Sequence, residues 1–203
     1  DPIFDFISAN EKVLVAHIGE PKNCWLPLDS MTVNNDRSYF SRHPEYHMYL
    51  HPDYPPYEDH INARDNVLAK HPNLTVVGCH LGSLEWDVAE LAKRLDAYPN
   101  FVVDTAARHG QLQVQERDKV RQFFIDYQDR VLYGTDIGVR GEVSKERLDN
   151  IEKTWHADWR YFATDDSLTS SKVKNKFAGL KLPAHVLERL YFTNAKTWLK
   201  IQG

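Results

Sequence analysis

Thr75-Val76-Val77-Gly78-Cys79-His80-Leu81-Gly82 reads as a buried strand that runs straight into an ionisable side chain and a glycine. Its apolar, β-branched core shows no strict alternation, the pattern of a parallel strand covered on both faces. The same design recurs three times. Val13-Leu14-Val15-Ala16 leads into His17, Phe101-Val102-Val103 into Asp104, and Val131-Leu132-Tyr133 into Gly134-Thr135-Asp136. Helical patterns lie between these runs at residues 57–71, 84–97 and 115–127, with Pro72 and Pro99 marking two of the gaps. The order β-α-β-α-β-α-β predicts an α/β fold with a parallel sheet and right-handed crossovers. In such a sheet every strand's C-terminal end lies on one rim, where active sites are built.

Outward from this frame the signals thin. Asp1-Pro2 before Ile3, Phe4, Phe6 and Ile7 is a helix start, with Asp as cap and Pro at the first helical position. Residues 20–56 form a long aromatic insertion after the first strand, and loops of that length are usually functional. A polar and aromatic stretch follows Asp136. Pro183 then opens a final amphipathic helix with Val186, Leu187, Leu190, Tyr191 and Leu199 on its apolar side.

Bulk properties limit the function classes. The 203 residues suffice for one core, so residues 1–203 are expected to form one domain. A hydrophobic content of 42% with 27% charged residues is that of a globular chain. The net charge of −4 gives no electrostatic case for nucleic acid or an anionic membrane. No apolar run approaches the roughly 18 residues of a membrane span, and no basic-then-apolar leader opens the sequence. Cys24 and Cys79 show neither disulfide nor zinc-knuckle spacing, which suits a reducing, cytoplasmic compartment.

The strand ends carry the chemistry. His17, His80 and Asp136 are imidazoles and a carboxylate, donors that suit zinc and also manganese or cobalt. A catalytic zinc keeps one position for water and lowers its pKa to about 7. No G-x-S-x-G elbow, phosphate-binding glycine loop or H-E-x-x-H is present. Each residue also has a plainer role open to it. A single strand-end histidine is more often structural, Asp136 could cap a helix, and Asp104 could simply pair with Arg108. His43, His47, His51 and His60 are read as a solvated loop rather than a second metal site. Trp25, Tyr39, Tyr46, Tyr49, Tyr54 and Tyr57 line a pocket or pack the loop. Cys79, beside His80, is read as inert.

Together these runs resemble amidohydrolase family 2. The resemblance is carried by His17-Ile18-Gly19-Glu20-Pro21, by Ala63-Arg64-Asp65 through Lys70-His71-Pro72-Asn73, and by Gly78-Cys79-His80-Leu81-Gly82. Asp104-Thr105-Ala106-Ala107-Arg108 and, most specifically, Tyr127-Gln128-Asp129-Arg130-Val131-Leu132-Tyr133-Gly134-Thr135-Asp136 continue it in order. The resemblance implies a TIM-type (β/α)8 barrel of which this chain is the second half, and a metal-assisted hydrolase acting on an amide, ester or lactone. A carboxy-lyase of the same family, or a non-catalytic barrel remnant, are the alternatives. It implies that His17 and Asp136 bind the divalent metal, that His80 and Asp136 are catalytic, and that Glu20 and Arg108 contact a small-molecule substrate. The family's first-strand His-x-His pair is not in this sequence. An N-terminal half is therefore expected beyond it, and a half barrel with two open sheet edges is expected to associate into a homo-oligomer.

Overall fold

The computed structural model describes residues 1–201. The β-branched runs form β1 (Val13–Ala16), β2 (Thr75–Gly78), β3 (Phe101–Asp104) and β4 (Val131–Leu132). All four are parallel and lie side by side in chain order. That unreversed order belongs to consecutive strands of a (β/α) barrel, since a doubly wound sheet changes direction at a switch point.

Helices fill the connections. α1 (Pro2–Ala9) precedes β1, α2 (Asn34–Arg42) sits in the insertion, and α3 (Tyr57–Lys70) leads to β2. α4 (Val88–Ala97) joins β2 to β3, and α5 (His109–Gln113) with α6 (Arg117–Asp126) joins β3 to β4. Two predicted starts move inward because a carboxylate caps each helix. Asp87 accepts from the Ala89 amide at 2.8 Å, so the helix expected from residue 84 begins at Val88. Glu116 accepts from the amides of Asp118 and Lys119, so the helix expected from residue 115 begins at Arg117.

The stretch after Asp136 holds more structure than its polarity suggests. Ser144 caps α7 (Lys145–Ala163), the longest helix among the described residues. An antiparallel pair, β5 (Ser167–Leu168) and β6 (Phe177–Ala178), follows. α7 buries Asp158, Tyr161 and Phe162 but leaves Leu148, Trp155 and Trp159 exposed. Its apolar stripe is therefore too thin to announce a helix.

Side chains alternate between the sheet faces. Val76, Phe101, Val103 and Val131 pack with Leu68, Leu91 and Phe124 from the helices. Val77, Val102 and Leu132 point the other way and meet Val13, Ala195, Trp198 and Leu199. The last helix reaches both clusters. α8 (Ala184–Glu188) places Val186 on the first, a π-helical turn (Arg189–Thr193) crosses the edge of β4, and α9 (Asn194–Trp198) packs on the second. At the crossing, the Asn194 amide donates to the carbonyls of Gln128 (2.6 Å) and Val131 (2.8 Å). The Tyr133 amide donates to Leu190 O at 2.9 Å, so the strand stops at Leu132. Two open edges were expected; β4 is closed by this helix, and only β1 remains without a second strand among the described residues. No helix among the described residues is long and apolar enough to cross a membrane.

Removing the Asn194 donors strands the buried Val131 carbonyl and the partly buried Gln128 carbonyl, which costs about 1–3 kcal/mol. Asn194→Ala and Asn194→Asp should both lower the midpoint of chemical denaturation by that amount. A midpoint unchanged in both variants would show that the helix does not clamp the edge.

Candidate functional site at the strand ends

Beyond Gly78 the backbone turns left-handed at His80 (φ 61°), Leu81 (56°), Gly82 (58°) and Ser83 (60°). For an L-residue that conformation costs about 1–2 kcal/mol. It persists here because every side of the turn is tied down. The His80 amide donates to Asp104 Oδ1 at 2.8 Å, and the Ser83 hydroxyl donates to Gly19 O at 2.5 Å. The fully buried Arg64 donates to Gly82 O, and Tyr57 donates to Ser83 O. Gly82 is required twice over: its φ is positive, and a Cβ there would come within 2.7 Å of the Phe101 ring.

The turn fixes how His80 is presented. Its Nδ1 lies 2.8 Å from Ala106 O, and a carbonyl can only accept. Nδ1 therefore carries the proton in the neutral ring, and Nε2 keeps the lone pair. The ring meets His17 edge to face, with centroids 4.7 Å apart. His17 stands at the rim, its side chain 46% exposed and Nε2 3.4 Å from Glu20 Oε1. Asp136 follows β4 with φ 59°, and Ala107 follows β3 with φ 57°, so three strand ends leave through the left-handed region. Strain gathered in this way is characteristic of functional sites. His17, Glu20, His80, Arg108 and Asp136 all line one cavity of about 590 Å³, a size that takes a small molecule. The insertion adds Asp36, Tyr39 and Phe40 to its wall. A cavity of about 550 Å³ between α7 and the β5–β6 segment contains none of the strand-end residues.

Asp104 and Arg108 do not pair. Asp104 Oδ1 is occupied by the amides of His80 (2.8 Å) and Ala106 (3.0 Å), which makes it the support of the His80 turn. Arg108 is buried and donates to Ala107 O at 3.3 Å, while its Nε has no partner among the described residues. Two buried carboxyl groups act on it. Asp36 accepts from Asn23 (2.7 Å) and Gln111 (2.9 Å), and burial raises its pKa. Glu85 accepts from the Lys22 amide at 2.9 Å. Burial pushes Glu85 up to about 7, with the Arg108 charge opposing. Sequence reasoning left Glu85 on a helix face; its one signal was a carboxylate between Leu84 and Trp86.

Other expectations divide. His47 belongs to the interior rather than to a solvated loop: it is buried, with Nε2 2.8 Å from Leu26 O. His43 is partly exposed, its side chain 40% accessible. Tyr39 reaches the cavity, whereas Tyr57 is core and Tyr46, Tyr49 and Tyr54 are exposed. Burial pushes the Cys79 thiol up to about 11, with Asp104 and Asp136 adding to it, so it stays protonated near neutrality. His109 went unnoticed. It is buried next to Asp158, and burial holds it near 3 and hence uncharged.

The donor chemistry of His17 and Asp136 suits a divalent ion, but the number of donors falls short. Among the described residues no group of three or more His, Cys, Asp or Glu side chains is placed to hold a metal ion. The half-exposed His17 faces Glu20 instead.

A family model described as amidohydrolase matches residues 2–201. No curated protein matches the sequence. Among solved structures, the chain is similar to an uncharacterised TIM-barrel protein from Bordetella bronchiseptica, at 17% identity and a TM-score of 0.47 over 98% of this chain and 49% of that one. It is also similar to an amidohydrolase from Burkholderia multivorans with bound zinc, at 12% identity and a TM-score of 0.39 over 94% of this chain and 65% of that one. The same protein with bound HEPES gives 12% identity and a TM-score of 0.41, covering all of this chain and 71% of that one. The chain thus spans about half the length of the Bordetella structure.

Glu85 makes a testable contribution to stability. Its pKa is about 7 in the folded chain against an ordinary 4.5. Between those values the folded state holds the proton more tightly than the unfolded one, so stability from this group is lost as pH rises through that window. One pKa unit corresponds to about 1.4 kcal/mol. Glu85→Gln should therefore gain stability over the parent by about 2–3 kcal/mol between pH 5 and pH 8, read as the difference between their unfolding free energies. A constant difference across that range would refute the raised pKa.

Proposed function

This chain belongs to the amidohydrolase family, and from that premise we propose that it carries one wall of a hydrolytic site where water adds to an amide, ester or lactone carbonyl. The observation that supports this most directly is the meeting of His17, His80 and Asp136, from three different strand ends, around one cavity. A divalent ion bound there, zinc first and manganese or cobalt as alternatives, would supply Lewis acidity and activate water near neutral pH. His17 and Asp136 are the residues that would hold it, and a closed shell needs donors beyond these two.

The remaining roles follow from the side chains themselves. His80, with its Nδ1 proton tied to Ala106 O, presents the Nε2 lone pair. That atom accepts a hydrogen bond from water and orients it toward the carbonyl. Asp136 accepts the proton that the water gives up and returns one to the leaving group. Glu20 and Arg108 contact the substrate, and Tyr39 and Phe40 shield it from solvent.

The test is zinc content together with turnover on a p-nitrophenyl ester, a p-nitroanilide and a γ-lactone. His80→Ala should lower turnover by about 10²–10⁴-fold with zinc retained. His17→Ala and Asp136→Ala should lower zinc content. Zinc content unchanged in both of those variants, or turnover indifferent to His80→Ala, would remove the basis of the assignment.

A further inference from the structure

The cavity has an excess of acid. Glu20, Asp36 and Asp136 face it together with Arg42 and Arg108, and Glu85 lies fully buried within the electrostatic reach of Arg108. Imidazoles aside, that is four carboxyl groups to two guanidiniums. Position matters more than the count. The two buried acids, Asp36 and Glu85, both act on the buried Arg108, where charges are screened far less than at a surface. Asp36 is pinned by Asn23 and Gln111, and Glu85 by the Lys22 amide, so neither is free to swing away. When ionised, Asp36 and Glu85 offset the Arg108 charge at a longer range than an ion pair. Arg108 still has a hydrogen-bond donor to give, because Nε is buried without a partner among the described residues. Glu85 Oε2 and Gln111 Oε1 are also buried without partners among the described residues, but neither residue lines the cavity.

We propose that Asp36 and Glu85 are specificity-determining residues: by offsetting Arg108 from within, they fit the cavity to uncharged carbonyl substrates, such as carboxamides, esters or lactones, and set it against carboxylates. This selection presupposes that the cavity is the substrate site of the hydrolytic reading. It disfavours the use of Arg108 as a carboxylate anchor for decarboxylation. A carboxylate brings acceptors only, and a third negative charge beside one guanidinium. An uncharged carbonyl accepts from the Arg108 guanidinium without that repulsion.

The probes are 4-fluorobenzamide and 4-fluorobenzoate, near-isosteric and different in charge. Binding to the chelator-treated chain is followed by fluorine NMR at pH 8.5, above the pH at which Glu85 ionises. Arg108→Lys and Tyr39→Ala assign binding to this cavity by weakening it. The amide should bind at least about tenfold more tightly than the carboxylate, a difference of about 1.4 kcal/mol. Glu85→Gln and Asp36→Asn should each shrink that ratio by about tenfold. If one variant does not fold, the other carries the comparison. Equal or tighter binding of the carboxylate to the parent chain, a ratio unmoved by the substitutions, or no binding of either probe would overturn the proposal. The readout involves neither metal nor turnover, so failure here leaves the hydrolytic reading standing. Absence of zinc-dependent turnover would sink that reading without altering the selectivity.

Discussion

Every candidate residue at the mouth depends on a buried left-handed turn at residues 80–83. A right-handed continuation from β2 would carry the chain away in another direction. The left-handed one returns it beneath the rim and exposes the carbonyls of Gly82 and Ser83 to the interior, where water cannot serve them. Arg64 and Tyr57 from α3 meet that demand, and Ser83 reaches across to Gly19 in the loop after β1. Asp104 at the end of β3 holds the His80 amide. The turn thereby locks three strand ends and α3 into one arrangement, with strain in the backbone offset by buried hydrogen bonds.

The electrostatics of the mouth come from a second layer below that turn. Glu85 follows it by two residues, and its carboxyl group ties the β1 loop at Lys22 to the β2 loop. Asp36 comes from the insertion, reaching Gln111 on α5 and Asn23 on the β1 loop. The insertion is therefore structural as well as a lining. It brings a buried acid, Asp36, to the cavity that Arg108 also lines, together with Tyr39 and Phe40. The charge balance around the strand-end residues is set by these buried neighbours.

Much of the frame was legible because its signals are local. The runs Val13–Ala16 and Thr75–Gly78 are written in consecutive residues, and strand polarity then forces His17, His80 and Asp136 onto one rim. The misses share a different cause. His47, Glu85 and His109 are ionisable residues buried by partners 21 or more positions away, or by a packed core, and nothing adjacent in sequence reveals it. The pairing of Asp104 with Arg108 was a reasonable reading of their spacing. It failed because the amides of the left-handed turn compete for the same carboxylate. α7 was hidden by its exposed tryptophans, which blur the contrast between its faces.

The seal that α8 and α9 place over β4 has a bearing on how copies of the chain meet. Endless cross-β growth needs two receptive borders on each molecule, one to accept and one to offer. Here Asn194 and Leu190 occupy one border, and only β1 is left receptive among the described residues. A further strand added to this sheet, whatever its source, is therefore directed to β1, because the polar groups along β4 are already taken.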